Sequence, residues 1–403
     1  MRGLDEKALQ AKEKKAGLGQ DIDLSAYESK PILHDYVEDI GTLSEADKRR
    51  MILAGVDATE TDRSGTYVQK DTTAIHAHSK QEGLEVMPIK KALEKHDWLK
   101  DYYWKLVGVD TDKYTATAQL DLHDGYVIRA LPGSKVIYPV QACLYLEKEG
   151  LSQNVHNIII AEEDSELHII TGCATAEHLR RGLHVGISEF FVKKNAKLSF
   201  TMIHNWAEEM MVRPRSVGRV EEGGLFLNNY ICMKPVKSLQ MYPTTHLVGK
   251  GAVARFYSLL VGSPGCEMDV GGRIILKEAD TRAEIVARTI SNGGNIIARG
   301  DLVGEVPGIK AHLECRGLIL NGGTIHAIPE LNGKVDGVEM SHEAAVGKIA
   351  QEEILYLMSR GLSEDDATAT IVRGFLSVDI PGLPPQLKAE IDRAVAESDK
   401  DMM

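Results

Sequence analysis

Residues 282–300 read RAEIVARTISNGGNIIARG. Two apolar runs containing β-branched residues, 282–287 and 295–298, stand on either side of the glycine pair Gly293-Gly294. β-Branched side chains favour strands, and adjacent glycines permit a tight change of direction. The stretch therefore predicts two short strands joined by a close corner.

The same pattern of short apolar runs separated by turn-forming residues extends through residues 121–335. Short β-branched runs recur there between Gly, Asn, Asp and Lys, as at 157–160, 198–203 and 312–315, and none has the period of a long helix. A region of more than 200 residues with strand patterns and no helices is compatible with four fold classes: a sandwich, a barrel, a propeller or a β-solenoid.

The spacing of the runs favours one of these architectures. From about residue 252 they recur quickly, often with glycine pairs at the predicted corners: Gly271-Gly272, Gly293-Gly294 and Gly322-Gly323. Short strands with tight corners suit a β-helix, in which each turn stacks on the last. No strict repeat is present, so a sandwich stays open as the alternative.

The amino-terminal part, residues 1–120, has a mixed, helix-rich pattern. Ser44 opens a capping-box sequence for a helix that ends near Leu53, and Pro88 opens a second helix. The polar stretch 59–81 between them predicts a loop with some extended chain.

The carboxy-terminal part, residues 336–403, predicts a helical domain. Ser341 can cap a helix that runs to Arg360, and Ser363 opens another capping box. A last amphipathic helix is expected at 386–397, after several prolines. An apolar stripe on these helices predicts either their own core or a docking face: Ile354, Leu357, Met358, Ile371 and Phe375.

Bulk properties bound the function. The 403 residues suggest two or three domains, and the net charge of −12 argues against nucleic-acid binding as the main role. The charged first residues lack the apolar core of a signal peptide. The longest mostly apolar run, 136–146, is too short to span a bilayer. We therefore expect a soluble cytoplasmic protein with no membrane contact.

Several familiar sites are missing from the sequence. There is no P-loop and no G-x-G-x-x-G after a strand, so no nucleotide is expected in this chain. His342-Glu343 begins like a zinc-protease motif, but Val346 stands where the second histidine is needed. An acidic cluster typical of a carbohydrate-active β-helix enzyme is not identifiable. These observations favour a protein that is not an enzyme in the strict sense.

The five cysteines are widely spaced, and no two form a C-x-x-C pair: Cys143, Cys173, Cys232, Cys266 and Cys315. This pattern indicates neither a disulfide scaffold nor a zinc finger. A permanent four-cysteine cluster site is not indicated either. A cluster bound here would need mixed or shared ligands, which suits a labile site.

Three segments carry a resemblance to a known family: CRGLIL at 315–320, SHEAAVGKI at 341–349 and LYLMSRGL at 355–362. In this order and at nearly this spacing they resemble the SufB/SufD family of SUF iron–sulfur cluster assembly proteins. The resemblance continues to Phe375. Upstream, Thr171-Gly172-Cys173, His204-Asn205-Trp206 and Phe256-Tyr257-Ser258 extend it, so that it covers about 125–378.

The resemblance implies a mainly β protein with a right-handed parallel β-helix core at 121–335, flanked by an α-rich amino-terminal region and a carboxy-terminal helical domain. It implies pairing through the core, with a second copy of the chain or a SufD-like subunit. The helical domain would dock a SufC-like ABC ATPase, and a sulfur donor would supply a transient iron–sulfur cluster at the dimer interface.

Within the family, the chain looks SufB-like. SufB-like members place Glu after the interface histidine, as Glu343 follows His342 here, and carry an upstream cysteine such as Cys173. The chain departs from that branch in lacking its cysteine-rich amino-terminal motif and the Arg and Asn that precede Gly-Cys. His204 also replaces a glutamine.

The resemblance makes Cys315, His342 and Glu343 the expected cluster and metal ligands. A thiolate, an imidazole and a carboxylate can all bind iron. Three ligands make half a site, which a second chain could complete by symmetry. Each also has a plainer interpretation: Cys315 alternates with Leu313 and could be a small core residue, His342 a surface histidine, and Glu343 a helix-start residue that interacts with the dipole.

The resemblance further implies sulfur transfer at Cys173, with His204 as a base and Trp206 lining a channel. Ordinary packing in a β-helix core is the alternative for all three. Arg213 and Arg215 stand near a basic position of that route in the family. The alternative function is a structural SufD-like subunit with no cluster of its own.

Overall fold

The computed structural model describes residues 2–376, and the helix expected at 386–397 lies outside the described residues. The protein is mainly β, with 45% strand and 18% helix, and its core is a β-solenoid of about 8 turns with helices at the termini. The β-helix expectation is thus confirmed against the sandwich.

The helices are α1 (Arg2–Ala11), α2 (Glu45–Leu53), α3 (Ile89–Lys95), α4 (Lys113–Leu120), α5 (Gln351–Ser359) and α6 (Glu364–Leu376). Short 3₁₀ helices cover Leu24–Ala26, Ile40–Thr42 and Asp97–Asp101. The strands are β1 (Gly65–Lys70), β2 (Thr73–Ser79), β3 (Leu84–Pro88), β4 (Tyr126–Ala130), β5 (Val140–Leu146), β6 (Ser152–Ala161), β7 (Glu166–Thr175), β8 (Arg181–Val192), β9 (Lys197–Asn205), β10 (Glu209–Val212), β11 (Arg215–Val220), β12 (Leu225–Cys232), β13 (Ser238–Met241), β14 (Thr244–Leu247), β15 (Val253–Gly262), β16 (Glu267–Leu276), β17 (Arg282–Ser291), β18 (Asn295–Gly304), β19 (Lys310–Ile319), β20 (Thr324–Gly333) and β21 (Glu339–Gly347).

Two sheets form the walls of the solenoid. The first sheet has the order β2-β1-β5-β7-β9-β12-β15-β17-β19-β21. The second sheet runs from β3 through β4, β6 and β8 to β16, β18 and β20. The strands pair in parallel except for β1 with β2 and β3 with β4. In the middle of the second sheet, the long strand β8 pairs with two short strands, β10 and β11. Pro214 lies between these two and interrupts the pairing, because proline has no N–H to donate.

The register of the first sheet sets the length of one turn. Cys173 of β7 pairs with His204 of β9, and His204 pairs with Cys232 of β12, so successive partners stand 31 and 28 residues apart. Paired residues of parallel strands point to the same side of the sheet. A residue that faces the interior therefore lies in a column with its counterparts in the turns above and below.

The described residues form three apolar cores. The largest fills the inside of the solenoid, where the ring of Phe190 packs edge-on against Phe200 and at a tilt against Phe226, with centroid distances of 4.8 and 5.0 Å. Helices α1, α3 and α4 cover the outer face of the second sheet, whereas α2 packs on β7 of the first sheet. Helix α6 packs Val372 and Leu376 on the outer face of the first sheet. The last turn, β20 and β21, is left exposed.

Several local predictions are confirmed. The side chain of Ser44 caps α2 and that of Ser363 accepts from the amide of Asp366, while Pro88 is the N-cap of α3. The stretch 59–81 does contain extended chain, in β1 and β2. Every helix among residues 2–376 is too short or too polar to cross a bilayer.

Two local predictions are wrong. The helix expected from Ser341 begins only at Gln351, because residues 339–347 add to the edge of β19 as β21. Backbone pairing with an available sheet edge outweighs the helical preference of its alanines and glutamate. Gly271-Gly272 is no corner but lies inside β16, where a Cβ on Gly272 would come within 2.7 Å of the ring of Phe256.

Candidate functional site

Among residues 2–376, no strand follows β20 or β21 at the carboxy-terminal end of the solenoid, which we call the open end. Within the described residues, β21 pairs with β19 alone, so its other edge presents unpaired backbone groups. His342 and Glu343 lie on this strand and are exposed. Apolar side chains also face solvent at this end: Val346 is 42% exposed and Leu331 is 40% exposed.

Cys315 lies one strand inside that edge. It belongs to β19, pairs with Ala344 of β21, and is 2% exposed among the interior residues. Its alternation with Leu313 on the inner face is as expected. Burial, with a smaller contribution from Glu314, raises the pKa of the Cys315 thiol to about 11. In the single chain this sulfur is therefore a protonated thiol at neutral pH.

The two remaining predicted ligands point to opposite sides of β21. His342 pairs with Leu313 and so shares the inner face with Cys315, whereas Glu343 pairs with Glu314 on the outer face. Among residues 2–376, the ligand atoms of Cys315, His342 and Glu343 do not lie within 4.8 Å of one another. One chain therefore brings the predicted trio to one end of the solenoid without closing a site.

Glu343 ends a row of charges on the outer face. Its carboxylate accepts a hydrogen bond of 2.9 Å from Arg316, which also pairs with Glu314 at 2.9 Å. Glu314 in turn pairs with Arg288. To bind a metal, the Glu343 carboxylate would have to leave Arg316.

The predicted sulfur-transfer residues are closer together. Cys173 and His204 are register partners on β7 and β9, both inside the solenoid and buried. Trp206 follows at 5.4 Å from the ring of His204. The structure therefore joins these three residues. Cys173 lies five strand spacings from Cys315, or roughly 24 Å at about 4.8 Å per strand, and His204 lies four spacings away, or roughly 19 Å.

The surroundings of His204 keep it neutral. Burial, with a smaller effect of His184, holds its pKa well below the usual range. Its Nδ1 is hydrogen-bonded to the hydroxyl of Tyr230 at 2.7 Å, and Nε2 has no hydrogen-bond partner in the described part of the chain. A neutral ring with a free nitrogen can exchange a proton with a neighbouring thiol, depending on its tautomer.

Sequence reasoning missed two further interior cysteines. Cys232 pairs with His204 on the side opposite Cys173, and Cys266 lies in the same core. Burial raises the pKa of Cys266 to about 12 and that of Cys232 further. The signal that could have found Cys232 is the turn length, since Cys173, His204 and Cys232 follow one another at that period.

A small cavity lies along the first sheet between this group and Cys315. It has a volume of about 30 Å³, and its walls include Tyr230, Ser258 and Ala287. Ala287 is the register partner of Cys315. The interior between Cys232 and Cys315 therefore contains a small void, whose lining also includes large apolar side chains such as Phe256, Leu260 and Ile285.

Other candidates have structural roles. Cys143 pairs with Gly172, and the space beside Gly172 is filled by Ala54 at the end of α2, so Cys143 faces away from the interior. Arg213 donates to the carbonyl of Gln20, and Arg215 pairs with Asp112 at 2.7 Å. Both arginines thus attach the amino-terminal region to the second sheet.

Comparison with known proteins identifies the family. The protein-family model described as "SUF system FeS cluster assembly, SufBD core domain" matches residues 144–375. The chain belongs to the SufBD family. A SufBD protein of Methanothermobacter thermautotrophicus is 47% identical over the whole of both chains. One from Archaeoglobus fulgidus is 52% identical over 89% of this chain and 96% of its own. Another, from Staphylococcus aureus, is 30% identical over 82% of this chain and 73% of its own.

These SufBD proteins are named for iron–sulfur cluster assembly, and the chain is a member of that assembly family. The matched region runs through β21, α5 and most of α6, and includes every residue that was expected to take part in chemistry. The resemblance found in the sequence is thus confirmed at the level of the family.

Proposed function

We propose that the chain is a SufB-like scaffold on which an iron–sulfur cluster is assembled at a dimer interface, coupled to a SufC-like ABC ATPase. The observation that carries the proposal is the position of Cys315, whose thiol faces inward one strand from an exposed strand edge that bears His342 and Glu343. The Cys315 thiol is a soft ligand, and the His342 imidazole and Glu343 carboxylate are harder ones. All three lie at the end of the solenoid where β21 has an unpaired edge.

A second chain would complete this end. The unpaired edge of β21 can add strands, and the exposed apolar residues Val346 and Leu331 beside it would be covered. Twofold symmetry would then bring a second Cys315 and His342 to the same interface. Pairing would also let Glu343 exchange Arg316 for iron.

Sulfur reaches the site through the interior in this proposal. The Cys173 thiolate attacks the outer sulfur of a donor persulfide, the donor cysteine leaves as a thiolate, and Cys173 carries the persulfide. The Cys232 thiolate then attacks the outer sulfur of the Cys173 persulfide. Cys232 thereby becomes the persulfide, and Cys173 leaves as a thiolate. His204, the register partner of both cysteines, would take the proton of the attacking thiol only while the bound donor opens the interior, because in the closed chain burial holds the pKa of His204 well below its usual range.

The ATPase would bind at the carboxy-terminal helices. Helix α5 buries Ile354 but leaves Leu355, Tyr356 and Met358 exposed, with Leu362 in the following turn. An exposed apolar group of this kind is typical of a protein–protein contact. The helices pack against the first sheet beside the open end, so a movement of α5 and α6 could be transmitted to β19 and β21.

The central test is reconstitution of the purified full chain with iron and sulfide under anaerobic conditions. We expect the Cys315→Ser variant to retain only a small fraction of the iron and sulfide of the parent after gel filtration. Cys143→Ser is the matched control, since that thiol is equally buried but faces away from the interior. Equal retention by Cys315→Ser and the parent would refute the scaffold role of this residue.

The alternative is a structural SufD-like subunit without its own cluster. The separation of Glu343 from Cys315 and His342 in the single chain favours it. In that case neither the parent nor either variant would retain a cluster alone, and the chain would bind the ATPase all the same.

A further inference from the structure

A second group of metal-capable side chains lies at the opposite end of the first sheet. Strand β2 is the edge strand there, as β21 is at the open end. It carries the sequence His76-Ala77-His78. Alternate residues of a strand share a face, so the two imidazoles point to the same side.

Glu60 adds a carboxylate to this pair. It lies in the turn before β1, in the left-handed conformation with φ of 53°, which is unusual for a residue other than glycine. Its Oε1 is 3.6 Å from Nε2 of His76. Among residues 2–376, Glu60, His76 and His78 are the one group of three such side chains whose ligand atoms all lie within 4.8 Å of one another.

The environment of His76 leaves one nitrogen free for a ligand. The side chain is 2% exposed, and its Nδ1 donates to the carbonyl oxygen of Val37 at 2.8 Å. Its Nε2 has no hydrogen-bond partner in the described part of the chain. Metal-binding histidines usually donate one ring N–H to a carbonyl or carboxylate oxygen and bind the metal through the other nitrogen, and His76 is held in this way.

Glu60 is also held in place. Thr66, the register partner of His78, donates its hydroxyl to Oε1 at 2.6 Å. The ammonium of Lys80 lies 3.7 Å from Oε2 and donates to the backbone carbonyl of Glu60 at 3.0 Å. The positive charge of Lys80 would repel a bound cation. Lys80 contacts Oε2 of Glu60, however, whereas Oε1 is the oxygen that lies near His76.

We propose that Glu60, His76 and His78 bind a divalent transition-metal cation, zinc or ferrous iron, with water in the remaining positions. Two nitrogens and one carboxylate suit these ions, whereas magnesium and calcium prefer oxygen ligands alone. Bond lengths of about 2.0–2.2 Å place tetrahedral ligands roughly 3.3 Å apart. The present separations require closure by an ångström or so, which the exposed side chain of His78 can provide.

This site does not depend on the proposed cluster assembly. It lies at the far end of the sheet from Cys315 and contains no sulfur ligand. Loss of metal here would therefore leave cluster reconstitution unchanged, and loss of the cluster site would leave this metal in place.

The test is calorimetric titration of chelator-treated full-length protein with Zn²⁺, and anaerobically with Fe²⁺. We expect one site that His78→Ala weakens at least tenfold, as loss of a ligand should. Because His78 is exposed, this variant should fold normally, and Glu60→Gln provides a second variant. His178→Ala removes another exposed imidazole and should bind as the parent does.

Cobalt substitution separates this site from the thiols. Co²⁺ bound to nitrogen and oxygen gives no thiolate-to-metal charge-transfer band, and Cys315→Ser should leave its spectrum unchanged. Equal binding by the parent, His78→Ala and Glu60→Gln would overturn the proposal and leave an ordinary His76–Glu60 ion pair. A thiolate band that accounts for all the bound cobalt would overturn it as well.

Discussion

Cys173 lies directly opposite His204 on the neighbouring parallel strand, and both side chains face the inside of the solenoid. The Cys173 thiol is fully buried in the closed chain, and this burial holds its pKa well above the usual range. The residues that would carry sulfur are thus shielded from water and from adventitious oxidants.

Thiol reactivity should follow this burial. At pH 8 we expect far less than one thiol per native chain to react with an aromatic disulfide reagent within minutes, because all five cysteines are buried. All five should react in guanidinium chloride. The first to react in the native protein should be Cys315, next to the open end, and Cys315→Ser should remove that phase. Rapid reaction of several native thiols would contradict the closed interior.

The end of the solenoid should govern association. We expect Val346→Lys to sediment as a monomer at concentrations where the parent is a dimer, because the charge would be buried at the proposed interface. Ile137, at 71% exposure, is an apolar residue outside this surface, and Ile137→Lys is the control. A dimer that tolerates Val346→Lys would place the interface elsewhere.

The exposed face of α5 should govern ATPase binding. Replacing both Leu355 and Tyr356 by Ala should weaken binding of a SufC-like ATPase by tenfold or more, since each truncation at the centre of an interface costs about 1 kcal/mol or more. Calorimetry measures the change. Leu9→Ala removes an equally exposed leucine from α1 and should leave binding unaltered.

A buried carboxylate should govern the attachment of the amino-terminal region. Glu189 is fully buried, contacts Nε2 of His156 at 2.8 Å, and accepts from the amides of Trp104, Leu106 and Val107. We expect Glu189→Ala to lower the free energy of unfolding by about 3–5 kcal/mol, because it leaves these donors buried without an acceptor.

Urea unfolding followed by tryptophan fluorescence would measure this loss, since Trp104 reports on the same contact. Glu163→Ala, at an exposed position, should change the free energy of unfolding by less than about 0.5 kcal/mol. Similar stability of the two variants would show that the Glu189 contacts contribute little.

One buried carboxyl should make stability depend on pH. Burial raises the pKa of Asp124 to about 6, above its value in the unfolded chain. The folded state therefore holds this proton more tightly, and the stability that Asp124 contributes below pH 4 is lost as the pH rises through 6. Asp124→Asn should remove that dependence and stabilise the protein at pH 8 by on the order of 2 kcal/mol relative to the parent.

Chemical denaturation at pH 4, 6 and 8 would measure the difference between the two proteins. Exposed Asp110→Asn is the control and should leave the pH dependence of the parent unchanged. A constant difference between Asp124→Asn and the parent across this range would contradict the assignment.

The sequence by itself determined the features that depend on neighbouring residues. The caps at Ser44 and Ser363, the start of α3 at Pro88 and the corner at Gly293-Gly294 are local choices of hydrogen bonding and backbone freedom. The family motifs are also linear, which is why Cys315, His342 and Glu343 could be named before any fold was known.

Only the tertiary structure decided the face and the partner of each side chain. The motif around His342 has a helical composition, yet it became a strand because β19 offered an unpaired edge. Its register then turned His342 inward and Glu343 outward, a difference that no local pattern contains. Cys173, His204 and Cys232 likewise form one column only because each turn stacks on the last, with partners about 30 residues apart held by backbone hydrogen bonds that do not depend on side-chain identity.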